Sequence, residues 1–226
     1  MPNEDPHSTS AEAPLNPGSR HEGVIQFSLQ FRPAAPPDWA VCSELDGWRT
    51  LLHRLGLIGQ NPAHYGGLAY GNVSRRLSGA QFLISGSQTG ALPQLTSRDY
   101  CVVDECQFEH NRLTAHGPIK PSSEAMTHAA VYQTDPVIDY VLHVHSPQLW
   151  QQSDRLGIPM TDPSAGYGTP EMARAIGALL MKTKAPVLAM GGHEDGLIAC
   201  GASVENAALP LLRLLGKALQ SVDSGG

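Results

Sequence analysis

The chain has 226 residues, 41% hydrophobic and 16% charged, with a formal net charge of −6. That length suits one large domain with a sizeable core, and the negative balance leaves no electrostatic footprint for nucleic acid or an anionic membrane. No apolar run approaches the roughly 20 residues of a membrane helix, and the opening MPNEDPHSTSAEAP lacks the basic and apolar regions of a secretory signal. A cytoplasmic location is therefore expected. Cys42, Cys101, Cys106 and Cys200 lack metal-type CxxC spacing, and a chain of this size needs no disulfide staples, so reduced thiols are expected. The low charged fraction leaves surface to be covered by Gly- and Pro-rich loops, and fits some buried subunit contact.

Residues 1–22 are rich in Pro, Ser and Glu with little to bury, and are expected to be a disordered tail; residues 23–226 read as a single domain. VIQFSLQF (24–31) alternates apolar and polar residues like an edge strand and is stopped by RPAAPPDW. LDGWRTLLHRLGLIG (45–59) has helical spacing, with Asp46 as N-cap and Gly56 or Gly59 near its end. GNVSRRL and QFLISGS form a hairpin around Ser78 and Gly79, and DYCVVDECQFE is a strand that turns at His110 and Asn111 into a second one. PSSEAMTHAAVYQT (121–134) opens a helix at Pro121 and Ser122. VIDYVLHVH is a strand, GTPEMARAIGALLMKT a helix, and APVLAM and GLIACG are short buried strands. SVENAALPLLRLLGKALQ is a closing helix that accommodates or bends at Pro210. Strands and helices interleave without a strict βαβ rhythm, which predicts a mixed sheet with helices on both faces.

Within YVLHVH, residues i and i+2 of a strand share a face about 6.5–7 Å apart. His143 and His145 therefore point the same way, and Leu142 and Val144 the other. Two imidazoles so rooted can converge on an ion about 2.0–2.1 Å from each nitrogen; equally, one can be a core histidine and the other a solvent-facing one. His193, in AMGGHEDG after a buried strand, is either an exposed loop residue or a third ligand. PSSE offers a helix start with two hydroxyls, a ready anion site, and Glu124 there compensates the helix dipole unless a site recruits it. GNVS (71–74) and SGSQTG (85–90) are hairpin loops able to wrap an anion. His128, four residues after Glu124, is expected to make a local hydrogen bond. Trp150 reads as core or interface, and Met126, Met172 and Met181 as core filler.

The order GN–strand–TG–PSSE–HxH–GT–H–GLIA, from about Leu45 to the last helix, resembles the class II aldolase/adducin-domain family. The resemblance implies a three-layer α/β/α sandwich around a mostly antiparallel central sheet, and a homotetramer with active sites at subunit interfaces. It implies His143, His145 and His193 as ligands of Zn2+ or another divalent ion, with Glu124 as the catalytic carboxylate. It also implies a phosphate pocket drawn from Gly71, Asn72, Thr89, Gly90, Ser122 and Ser123. The expected activity is lyase chemistry: retro-aldol cleavage of a small phosphorylated ketose through an enediolate. Epimerase, dehydratase, decarboxylase or a non-catalytic adducin-like interaction module are the alternatives. The segment after the histidine pair is shorter than in the family's sugar-phosphate aldolases, and Tyr167 and Asp162 are its candidates for their proton-donating tyrosine. SGSQTG carries extra residues relative to the family loop, and Glu194 and Asp195 add carboxylates beside His193.

Overall fold

The structure, a computed structural model, describes residues 25–220; the expected tail (1–22) lies outside the described residues. The alternating run forms β1 (Ser28–Pro33), an edge strand as its pattern predicts. The Pro-rich stretch that stops it also delivers a helix cap. Asp38, in extended conformation, accepts from the Ala40 N–H and starts α1 (Trp39–Arg54). The helix thus begins upstream of the expected residue 45, and Asp46 does not cap it. Asp46 is instead buried inside α1, accepting a 3.0 Å hydrogen bond from the Tyr100 hydroxyl. Apolar spacing registers where a helix can bury a face, and says little about the polar turn before it.

A two-stranded ribbon, β2 (Gly59–Gln60) and β3 (Ala69–Tyr70), follows. The expected hairpin is β4 (Asn72–Arg76) and β5 (Phe82–Ser85), and the next is β6 (Tyr100–Gln107) and β7 (Arg112–Gly117), with Asn111 left-handed at the turn. Then come α2 (Ala125–Thr134), β8 (Tyr140–His145), the short α3 (Pro147–Gln151) and α4 (Ser153–Leu156), and α5 (Pro170–Thr183). β9 (Val187–Ala189), β10 (Gly196–Gly201) and α6 (Val204–Gln220), which runs through Pro210, complete the described chain. The two short helices after β8 lack a periodic signal long enough to be foreseen.

The main sheet has the order β1-β7-β6-β5-β4-β8-β10-β9. β1 runs parallel to β7 and the other strand pairings are antiparallel, so the sheet is mixed. Strand alternation divides the core in two. On β8, Val141 joins one apolar cluster with residues of α2 and α5, while Leu142 and Val144 join another with residues of α1 and α6. A strand covered on both faces reads as a continuous apolar run, and any polar side chain in it demands a reason. Each fully buried leucine or valine here contributes roughly 1.5–3 kcal/mol relative to exposure. Met126 and Met172 are core residues, but Met181, on α5, is 63% exposed and fills no core. Among the described residues no helix is long and apolar enough to cross a membrane.

Candidate active site

β8 carries His143 and His145 on the face it shares with Val141, and β10 lies antiparallel beside it, pairing Ile198 with His143 and Gly196 with His145. The turn from β9 to β10 then folds back. Met190 N–H donates to Gly196 O, and Gly196 N–H to His193 O, which swings His193 over the β8 pair. Glycine is required on the way in. A Cβ on Gly191 would stand 2.2 Å from Thr161 O, and one on Gly192 only 1.9 Å from Ala165 O. The outcome is three buried imidazoles whose ligand nitrogens lie within 4.8 Å of one another. Ring centroids are 5.0 Å apart for His143–His145 and His143–His193, and 4.8 Å for His145–His193.

This donor set fits a divalent transition ion. Three neutral imidazoles leave an open coordination position, the arrangement of catalytic rather than closed structural sites. His143 Nδ1–H donates to the Leu197 carbonyl at 3.1 Å, which fixes the tautomer and presents Nε2 as the ligand atom.

α2 begins at Ala125, not at Pro121. Pro121 pairs with Gly86 as a β-bridge, Ser122 and Ser123 form a turn, and Glu124 takes the N-cap position without capping through its side chain. Its carboxylate turns to the histidines instead. Oε1 stands 3.7 Å from His193 Nδ1 and Oε2 accepts 2.7 Å from Thr127 Oγ1, with Glu124 1% exposed. The hydrogen bond expected of His128 runs to β4. Its Nδ1 lies 2.6 Å from Ser74 Oγ, which is 2.7 Å from the Tyr132 hydroxyl. Burial pushes the His128 pKa down to about 3, so the ring is neutral.

Gly71, Asn72, Gly90, Ser122 and Ser123 line one small cleft together with the Ser87–Gln88 backbone turn, and no charged residue lines it. The cleft adjoins the histidines, because Asn72 pairs with His143 across β4 and β8. Gly71 has φ +77, and a Cβ there would meet Ile58 Cγ1 at 2.7 Å. Thr89 departs from the expectation: it does not line the cleft, and its hydroxyl donates 2.8 Å to Gly86 O within the turn. Of this loop, Gly86, Ser87, Gln88 and Gly90 reach the lining and Thr89 does not.

Of the two proton-donor candidates, Tyr167 is at the site, its ring 4.8 Å from that of His193. Asp162 is not; it is bound to Ser164, whose hydroxyl and N–H hold its carboxyl below the usual range. Tyr65 went unsuspected. Its φ of 52 and the two glycines after it turn its ring edge-on to His145 at 4.6 Å. Its hydroxyl donates 2.7 Å to Asp195 Oδ2. The only signal was the dipeptide Gly66–Gly67, a turn mark that says nothing of direction. Asp195 is buried beside the cluster, its carbonyl taking the Ser146 N–H, whereas Glu194 is exposed. The four cysteines are buried free thiols, and burial raises their pKa values, so they are poor ligands and nucleophiles.

Residues 63–214 match the model of the class II aldolase and adducin N-terminal domain. The chain belongs to that family. A 77-residue stretch, 34% of the chain, is 34% identical to a probable L-ribulose-5-phosphate 4-epimerase of Mycoplasma pneumoniae, and covers 30% of that protein. Among solved structures, an L-fuculose 1-phosphate aldolase superposes with a TM-score of 0.63 at 19% identity, over 84% of this chain and 90% of that one. The L-fuculose-1-phosphate aldolase of Thermus thermophilus gives 0.58 at 22% identity, over 82% of this chain and 97% of that one. At such identities the likeness establishes a class II aldolase-like fold. The family match starts after α1 and β2, later than the resemblance beginning near Leu45 suggests.

Proposed function

We infer that the chain is a divalent-metal-dependent class II aldolase-type lyase, acting on a small phosphorylated ketose by retro-aldol cleavage. One observation carries this reading: His143, His145 and His193 converge within 4.8 Å, with the Glu124 carboxylate 3.7 Å from His193. These histidines would hold the ion, zinc being the expected one, and Glu124 would be the catalytic carboxylate. A bound divalent ion supplies Lewis-acid stabilisation to the negative charge that develops on substrate oxygens, in enediolate fashion. Glu124 moves the carbon-bound proton: it takes it in the condensation direction and returns it during cleavage. Thr127 donates to the Glu124 Oε2 atom, and Oε1, the oxygen that faces His193 at 3.7 Å, handles the proton. The small polar cleft beside Asn72 holds the phosphate and so sets the distance from phosphorus to the reacting carbon. Gly71, Asn72, Gly90, Ser122 and Ser123 form that cleft, and Thr89 supports its turn. Tyr65 and Tyr167 wall the histidine cluster and exclude water from it.

The two apolar clusters, one on each face of the sheet and each with its own helices, support a three-layer α/β/α arrangement of the described residues 25–220. A cytoplasmic homo-oligomer, a tetramer by family resemblance, completes the proposal. A second reading, 4-epimerisation on the same scaffold, is favoured by the stretch of 34% identity to the probable epimerase. A panel of phosphorylated ketoses, assayed with and without chelator, separates the two. Aldehyde release that stops on metal removal supports cleavage, and an epimer without aldehyde supports the second reading. Turnover that survives complete metal removal would sink both.

A further inference from the structure

The cleft assigned to the phosphate has an uncharged lining, although a phosphate monoester brings about 1.5 to 2 negative charges at neutral pH. α1 places a cation directly behind it. Arg49 is 1% exposed, and its Nη2 donates to the carbonyls of Thr89 at 2.8 Å and Gly90 at 3.0 Å. One side chain of the helix thus grips two successive residues of the turn that ends in the cleft wall. The turn is held from its other side too, since a Cβ on Gly90 would stand 2.5 Å from Tyr70 O. A trans peptide unit carries its C=O and N–H on opposite edges. Fixing the Thr89 and Gly90 carbonyls on Arg49 therefore turns the Gly90 and Ala91 N–H groups away from it. The guanidinium keeps its charge despite burial, aided by the nearby Tyr100, Asp46 and Asp99 oxygens.

We propose that Arg49 is the positioning residue of the phosphate subsite, fixing the Thr89–Gly90 turn and supplying the positive charge that the lining lacks. The proposal rests on reading the cleft as a phosphate site. It does not follow from the family match, which begins at residue 63.

Inorganic phosphate titrated calorimetrically into the purified, metal-loaded protein tests it, with bound metal measured alongside. Arg49→Met should weaken phosphate binding about tenfold or more, the effect of losing a charge-assisted interaction, and leave metal content unchanged. Arg49→Lys, which keeps the charge but not the planar fork, should fall between this variant and the wild type. With a phosphorylated substrate, Arg49→Met should raise KM far more than it lowers kcat. A folded Arg49→Met protein with wild-type phosphate affinity, beside a Ser122→Ala/Ser123→Ala protein with weakened affinity, overturns the role of Arg49 and spares the cleft. Unchanged affinity in both, or no phosphate binding by the wild type, overturns the cleft as well. If Arg49→Met does not melt cooperatively, Arg49→Lys decides: wild-type affinity there overturns the proposal.

Discussion

The histidine cluster is made of side chains that project from paired strands and one tight turn, whereas the neighbouring cleft is made largely of turns and backbone. β8 and β10 lock two of the imidazoles and the return of the third through ladder hydrogen bonds. The cleft depends on a left-handed glycine, a close approach of Gly90 to Tyr70 O, and a buried arginine that does not line it. A site of the first kind is specified by which residues occur; a site of the second kind by where backbone can go. Substitutions should therefore split by region. Changes at the histidine end should strike metal or chemistry, and changes at the cleft should strike substrate affinity.

The largest catalytic effect should come from Glu124→Gln, which keeps the shape and removes the base. kcat should fall roughly 10²–10⁴-fold while metal content stays at the wild-type level; loss of metal together with activity would assign Glu124 to holding the ion. Gly90→Ala probes the other half. Its new Cβ would press on Tyr70 O at 2.5 Å and displace the turn, so KM for a phosphorylated substrate should rise about tenfold with metal affinity intact. An unchanged KM would break the division between the halves.

Two smaller effects concern the supports of the histidine end. His128 has a folded pKa of about 3, lowered by burial from an ordinary 6.5. The unfolded chain thus binds more protons between those values. The His128 contribution is fully present above about pH 6.5 and is lost as the pH falls towards 3. Between pH 7 and 5 the wild type should lose about 2 kcal/mol more stability than His128→Gln, as read from denaturant midpoints. Parallel pH curves would contradict a neutral buried ring. Tyr65→Phe keeps the ring against His145 and deletes the bond to Asp195. It should cost about 1 kcal/mol, a drop of roughly 2–4 °C in the melting temperature.

Legibility followed the same divide. The alternation in YVLHVH fixes which faces His143 and His145 share, because β8 is buried on both sides and polar residues stand out there. His193 lies in a glycine turn with no periodicity, so spacing alone left it an exposed loop residue and only the family pattern drew it in; it is 3% exposed. On spacing alone Glu124 read as dipole compensation, and only the family resemblance made it a catalytic carboxylate; the helix was expected to open at Pro121, yet the bridge of Pro121 to Gly86 delays it to Ala125. The hairpins and the edge strand were legible from turn residues and alternation. The start of α1 was not, and with it went Arg49, which on a helix starting at 45 looks like one more polar residue of the first turn. Tyr65 was hidden for a related reason: its direction is set by a positive φ that no residue pattern announces.

At the centre stand three imidazoles from β8 and the β9–β10 turn, proposed to share a single divalent cation. X-ray absorption at the zinc edge, on wild-type and His143→Ala proteins loaded with one equivalent of zinc, tests this most directly. A shared site predicts a wild-type spectrum of three imidazole nitrogens at about 2.0–2.1 Å, reduced by one in the variant with weaker retention against chelator. An oxygen- or sulfur-dominated shell, or identical spectra and affinities for the two proteins, would contradict it.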